Sequence, residues 1–262
     1  MKTRTLLLTL ALSAAALATS MAEVFSVKVV GYVKVTIPAN SLALIANPLN
    51  GANNNLDAIL PLKDDGTQDG VTIYRFDIIS QSYANALSWA GNGPGAGGAW
   101  LSADCPDPTA PCDAKVISPG EGFFIYNITK APIDLVFVGE VVQLPFCNPI
   151  PGNGALSIRS SVIPEENALG DRSSGLHFPA VDGMTVYIFD VATQAYSNAY
   201  GFVGTPGVDG QWLNATDPNP LGPVLPVAGS CFLINPGPTV NWGCPNPPVV
   251  HADSLRTFSV PK

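Results

Sequence analysis

The chain is written twice. Residues 71–87 read VTIYRFDIISQSYANAL and residues 184–200 read MTVYIFDVATQAYSNAY, identical at eight of seventeen positions. The flanks agree in the same order. IPAN and SLALI (37–45) answer IPGNG and ALSI (150–158), GGAWLSA (97–103) answers DGQWLNA (209–215), and FFIYN (123–127) answers CFLIN (231–235). The lead-in VGYVKV (30–35) has a counterpart in VGEVVQ (138–143). Offsets run from 108 to 114 residues, so insertions fall in loops while the order of elements is kept. Self-similarity of this kind means one structural unit made twice. No Ser/Gly-rich spacer separates the copies, which predicts a packed pair rather than beads on a linker.

Within each copy the periodicity is that of strands. Thr72, Tyr74 and Phe76 alternate with Val71, Ile73 and Arg75, and the pattern returns as Thr185, Tyr187 and Phe189 against Met184, Val186 and Ile188. Val24 to Ile37 reads as one long strand or two meeting at Gly31, and Leu42 to Ala46 as a short apolar strand. Asp77 and Asp190 close their runs, with Gln81 and Gln194 four residues on. Asp-x-x-Ser/Thr-Gln between aromatic strands predicts a hairpin loop in which Asp bonds the turn backbone. Helix signals are scarce, and only Asn55 to Leu60 reads as a helical turn, with Asn at its start. Gly and Pro make up 50 of 262 residues, which gives turns close together. The predicted fold is all-β: two tandemly duplicated β-sandwich or partly open barrel modules packed together, over 23–140 and 141–250, with 251–262 a tail or closing strand.

The first 22 residues read separately. Lys2 and Arg4, an apolar stretch from Leu6 to Ala18, and Ser20-Met21-Ala22 before Glu23 have the order of a secretory signal peptide. The apolar run is short for a membrane span, so the expectation is a secreted, cell-surface or periplasmic protein with no span in the mature chain. Residues 23–262 hold ten Lys+Arg against twenty Asp+Glu, net −10. That balance argues against nucleic acid as a partner. Export permits disulfides. Cys105 and Cys112 bracket the loop CPDPTAPC, and Cys231 and Cys244 flank the turn Asn235-Pro236-Gly237-Pro238. Those two pairings leave Cys147 over, and Cys147 with Cys244 is the alternative.

The order Leu44-Ile45-Ala46-Asn47-Pro48, then Ile73 to Asp77, then Trp100, then Pro119 to Phe124 resembles a small tandem β-module of secreted and surface proteins of environmental bacteria. The resemblance covers most of copy one. Copy two is looser, with Ser160-Ser161 in place of Asn-Pro and Val227-Ala228-Gly229-Ser230 in place of Pro-Gly-Glu-Gly. It implies an exported β-domain and no defined activity.

Candidate chemistry is sparse. There is no Gly-x-Ser-x-Gly elbow, and His177 and His251 have no counterparts in the other copy. Glu121 is the most suggestive acid, yet its aligned position is Gly229. Asp64, Asp65 and Asp69 in DDGTQDG offer oxygen ligands for calcium, the one cofactor considered, although a solvated acidic loop is the better account. Trp89, Trp100 and Trp212 are the candidate sugar-stacking aromatics, Trp89 foremost because it lies beside a Gly-rich stretch, although burial in a core is the better account of them. The strand beginning Val24-Phe25 offers a route to self-association. The leading expectation is a non-enzymatic extracellular structural or adhesive protein. The alternative is a carbohydrate-binding protein, with a cell-surface glycan as partner, and a secreted hydrolase comes third.

Overall fold

The computed structural model describes residues 29–51, 53–91, 97–107, 112–142, 146–206 and 208–243. The expected signal peptide over 1–22, the expected strand beginning Val24-Phe25 and the expected tail or closing strand over 251–262 lie outside them.

Copy one runs β1 (Val30–Ile37), β2 (Ser41–Ala46), a short helix α1 (Leu56–Ile59), β3 (Thr72–Asp77), β4 (Ser82–Tyr83), β5 (Leu87–Ala90), β6 (Ala99–Leu101), β7 (Gly122–Asn127) and β8 (Ile133–Glu140). Copy two runs β9 (Asn148–Ile150), β10 (Ala155–Arg159), β11 (Asn167–Ala168), β12 (Thr185–Asp190), β13 (Ala195–Tyr196), β14 (Tyr200–Val203), β15 (Gln211–Leu213), β16 (Val224–Leu225), β17 (Cys231–Asn235) and β18 (Val240–Trp242). Two six-stranded antiparallel sheets result, in the orders β2-β7-β3-β5-β6 with β4 on β3, and β10-β17-β12-β14-β15 with β13 on β12. The orders are the same strand for strand. The fold is all-β and made twice.

A two-stranded ribbon covers one face of each sheet, β1 with β8 and β9 with β18. In β8 the alternation is complete: Ile133, Leu135 and Phe137 point inward and Asp134, Val136 and Val138 outward, as a half-buried strand requires. The inward residues pack with Ile37, Ile45, Ile73, Leu87, Trp100 and Ile125 as the first core. Ile150 and Trp242 play the ribbon's part in the second, over Met184, Val186, Phe202, Trp212 and Leu233. The match of VGYVKV to VGEVVQ is therefore not a structural one. Val138 and Gly139 belong to β8, the partner of β1, and the counterpart of β1 is β9.

α1 forms where Asn55 signalled it, the Asn55 side chain accepting from the Asp57 N–H at its start. Its Asp57 carboxylate takes the Trp100 N–H at 2.9 Å and the buried Lys115 ammonium at 3.1 Å. Cys105 and Cys112 are bridged as expected. The Cys231–Cys244 pairing is overturned, because Cys231 is a free buried thiol. The turn at Asn235–Pro238 is real, but it carries the chain from the sheet to the ribbon instead of folding one strand back on the other. β17 lies between β10 and β12, while β18 pairs with β9. Cys147 is disulfide-bonded, and Cys244 lies outside the described residues.

Candidate functional site

The sheets use their second faces on each other. Strands covered on both sides read as continuous apolar runs, which is why Leu42 to Ile45 and Phe123 to Tyr126 do not alternate. Leu44, Phe124 and Ile158 are buried between the modules, flanked by Leu42, Tyr74, Phe76, Phe189 and Phe232. The contact is nearly two-fold. Phe76 meets Phe232 edge-on at 5.8 Å, and their counterparts Phe189 and Phe124 meet edge-on at 5.2 Å.

Each edge strand is closed by a side chain from the other copy. The Leu42 N–H donates to Gln194 Oε1 at 2.8 Å, and Gln194 Nε2 donates to the Leu42 carbonyl at 3.0 Å. The Leu156 N–H donates to Gln81 Oε1 at 2.8 Å, and Gln81 Nε2 returns to the Leu156 carbonyl at 3.1 Å. A carboxamide thus stands in for a pairing peptide on β2 and on β10, whose outer edges would otherwise be open. The Asp-x-x-Ser/Thr-Gln loop sets this up. Asp77 Oδ1 accepts the Ile79 N–H and Asp190 Oδ1 the Ala192 N–H. Gln81 and Gln194 take left-handed backbones, φ 55° and 54°. Asp-capped turns were legible in the sequence, but the reach of the glutamines was not.

Where the sheets diverge along this seam, they leave an open groove of about 490 Å³, lined by Leu42, Tyr74, Tyr83, Phe124, Tyr126, Phe189 and Tyr196. Tyr83 and Tyr196 occupy the same position in the two copies and remain 48% and 42% exposed. Partial burial, its largest cause, raises both phenols above their ordinary pKa, and the Tyr83 hydroxyl pushes Tyr196 further. Phe189 and Phe124 brace Tyr196 at 5.5 and 6.3 Å. The groove offers flat rings with hydroxyls among them and no charged lining side chain.

The stacking residues expected from sequence are elsewhere. Trp89, Trp100 and Trp212 are 4%, 0% and 2% exposed and belong to the cores, so no ring face is free to stack on a sugar. The glycines near Trp89 make room for its ring instead of exposing it: a Cβ on Gly98 would strike the indole. Phe202 is the counterpart of Trp89, seated under Gly210 in the same way. In the acidic loop the carboxylates bond the backbone. Asp65 accepts from the Thr67 N–H at 2.9 Å, and Asp69 Oδ1 accepts the Gly91 N–H at 2.7 Å. Asp182 repeats the Asp69 bond on Gly204 in copy two, which marks it as a loop-closing bond. Asp64 has partners of its own. Among the described residues no three His, Cys, Asp or Glu side chains converge as a metal site.

The acids are likewise committed to the fold. Asp77 and Asp190 are held below the usual carboxylate range by the Ile79 and Ala192 N–H groups first, then by the Ser80 and Thr193 hydroxyls. Glu121 accepts Arg75 Nε and Nη2 at 3.0 and 2.6 Å on one oxygen and the Ser118 N–H on the other. His177 is an exposed loop residue, and His251 lies outside the described residues. Among the described residues no helix is long and apolar enough to cross a membrane. Comparison of the chain with family models, curated proteins and solved structures gives no match.

Proposed function

We propose that the protein is an exported, non-catalytic adhesive β-protein that holds a carbohydrate chain in the aromatic groove between its modules. The observation that carries this reading is the groove: Tyr74, Tyr83, Tyr126 and Tyr196 with Phe124 and Phe189 on one interface. Aromatic faces stack on the apolar faces of sugars while phenol hydroxyls take their polar edges. The signal-like first 22 residues and the Cys105–Cys112 bridge support export, since such bonds persist in oxidising compartments. The turn-bound state of Asp77 and Asp190 and the engaged Glu121 support a non-catalytic role.

Affinity electrophoresis of the purified chain in neutral polysaccharide gels tests the reading, followed by calorimetry with the oligosaccharide that retards it. Tyr196→Ala and Tyr74→Ala are expected to weaken binding at least tenfold, about 1.4 kcal/mol, while Tyr200→Phe, outside the groove, leaves it unchanged. A chain retarded by no polysaccharide, or equally retarded after both groove substitutions, removes this function.

A second reading, assembly of copies into an extracellular structure, rests on a different surface. The outward face of the β1–β8 ribbon carries Val30, Tyr32, Val136 and Val138, all exposed, and among the described residues β1 and β8 pair with no further strand, Glu140 alone bridging Asn50. Exposed apolar strands with open edges favour strand addition by a second copy. Light scattering over a concentration series tests it: growth in mass that Tyr32→Lys abolishes supports assembly, and a constant monomer ends it.

A further inference from the structure

On the other side of the interface lies a second cavity, of about 330 Å³, which shares no lining residue with the groove. Its charged lining is Arg75, Asp77, Glu121 and Arg159, and Phe76, Ile78 and Leu87 supply apolar wall. Arg75 and Glu121 neutralise each other at 2.6 Å. Asp77 is turned onto its own loop. Arg159 has no such partner. It is 7% exposed, with Nε donating to the Pro149 carbonyl at 2.8 Å and Nη1 to the Ile158 carbonyl at 3.0 Å. Among the described residues no acceptor takes Nη2 and no carboxylate lies within ion-pair distance. Burial disfavours its charged form most, with Glu121 attracting and Arg75 repelling. A guanidinium does not shed its proton in the physiological range, and the carbonyls that Arg159 meets leave its charge unpaired, which an anion in the cavity would balance.

The duplication supplies a control. Glu121 bridges Arg159 across the interface, and at the two-fold equivalent place Gly229 bridges Ile45. Arg75 corresponds to Ile188, each lying opposite the first residue of the shared strand motif, Phe123 or Cys231. One architecture therefore closes the same corner with Ile45, Ile188 and Gly229 and with Arg159, Arg75 and Glu121. The fold does not need the charges.

We propose that this cavity binds a carboxylate, its two oxygens on the free edge of the Arg159 guanidinium and its carbon body against Phe76, Ile78 and Leu87. The planar fork of arginine matches a carboxylate in two parallel hydrogen bonds. Glu121 and Asp77 share the lining with Arg75 and Arg159, so the cavity has no net positive charge to hold a dianion, and a guest with one charge and an apolar body suits it better than phosphate. The carboxylate is that of a small organic acid or of a uronate in an acidic polysaccharide. This site stands whether or not the groove holds a neutral sugar.

The test follows the Arg159 Nε–H resonance of the ¹⁵N-labelled full chain, assigned with Arg159→Lys, during titration with acetate, benzoate, glucuronate and oligoglucuronate. Glucose and phosphate serve as controls. A saturable shift with carboxylates, and calorimetric binding weakened at least tenfold in Arg159→Lys and in Arg159→Ile, is the expected result. Benzoate ahead of glucuronate identifies a small acid, and oligoglucuronate ahead of both identifies a polysaccharide. Absence of a saturable shift in the unaltered chain overturns the proposal whatever the variants do. So does phosphate binding more tightly than every carboxylate, glucose matching glucuronate, or undiminished binding in a folded Arg159→Ile.

Discussion

At one corner of the interface the chain places Arg159, Arg75 and Glu121, and at the equivalent corner Ile45, Ile188 and Gly229. The same contrast recurs inside the cores. Trp100 donates its indole N–H to the Leu60 carbonyl at 3.2 Å, at the end of α1, whereas Trp212 in copy two is a buried indole with no acceptor. Copy two carries β11 where copy one has α1, and so lacks the carbonyl. What recurs in both copies, such as the Asp-capped loops, the Gln clamps and the glycines under Trp89 and Phe202, belongs to the fold. What differs records a local decision. A duplicated protein thus separates the two kinds of residue without any alignment of relatives.

The contrast is sharpest at the axis, and the largest effect is expected there. Gly122 and Ser230 occupy the same strand position in the two copies and face each other, a Cβ on Gly122 running into Ser230 Oγ and Ile158. Ser230 uses its hydroxyl on the Arg159 carbonyl at 2.9 Å. Only one member of this pair has room for a side chain. Gly122→Ser, which makes the position symmetric, is expected to cost about 3 kcal/mol through overpacking. A chemical melt that leaves the midpoint unchanged would show that the modules are not held at this contact.

The tryptophans give the next effect. Trp100→Phe strands the Leu60 carbonyl in the core, while Trp212→Phe removes a donor that already lacks a partner. The ring truncation is the same in both, so the loss at Trp100 should exceed that at Trp212 by about 2 kcal/mol. Equal losses in urea unfolding would mean that Trp212 finds an acceptor.

Tyr83 and Tyr196 test the groove through pH. Both phenols are raised, burial first, and Tyr196 the further. The folded chain holds these protons where the unfolded chain releases them near pH 10. Their contribution is thus fully present below about pH 10 and is lost as pH rises through the folded values. Ultraviolet titration of tyrosinate should show delayed phenols, Tyr200 among them because burial and Asp217 raise it too, with Tyr83→Phe removing an earlier step than Tyr196→Phe. Loss of the same step in both variants would break the difference between the copies.

The strands were legible because β3 has a two-residue period and β2 is a short apolar run, and α1 because Asn55 caps it. The site was not. Tyr74 and Phe76 are visible in the sequence as one face of β3, but nothing local says that a second sheet covers this face and leaves it partly open. The one available signal was that β2, β3 and β7 are apolar on both faces in both copies, which asks for a partner on each side. Trp89 misled for a related reason: glycine beside an aromatic reads as exposure when the sequence is a line, and as close packing once Gly98 lies on the ring. Cys231 misled because a turn was taken for a hairpin when it joins two layers.

The smallest effect lies in the loop before the axis, where both copies need one left-handed residue. Copy one uses Gly120, φ 75°, and copy two Ala228, φ 56°. The demand is the same, because the Ser160 N–H donates to the Gly120 carbonyl at 2.9 Å and the Ala46 N–H to the Ala228 carbonyl at 2.9 Å. An L-residue with a Cβ is disfavoured in this region by about 1 kcal/mol or more, partly offset in glycine by a more flexible unfolded chain. Ala228→Gly should therefore stabilise the protein by roughly 0.5 kcal/mol. Gly120→Ala is the converse and the harsher change, since its Cβ would also press on Asn148, Val162 and the Ser160 carbonyl. Thermal melts of the two variants moving in opposite directions would confirm that copy two has kept the turn and lost its glycine. A melt lowered by Ala228→Gly would mean that the Ala228 methyl contributes more by packing than it costs in backbone strain.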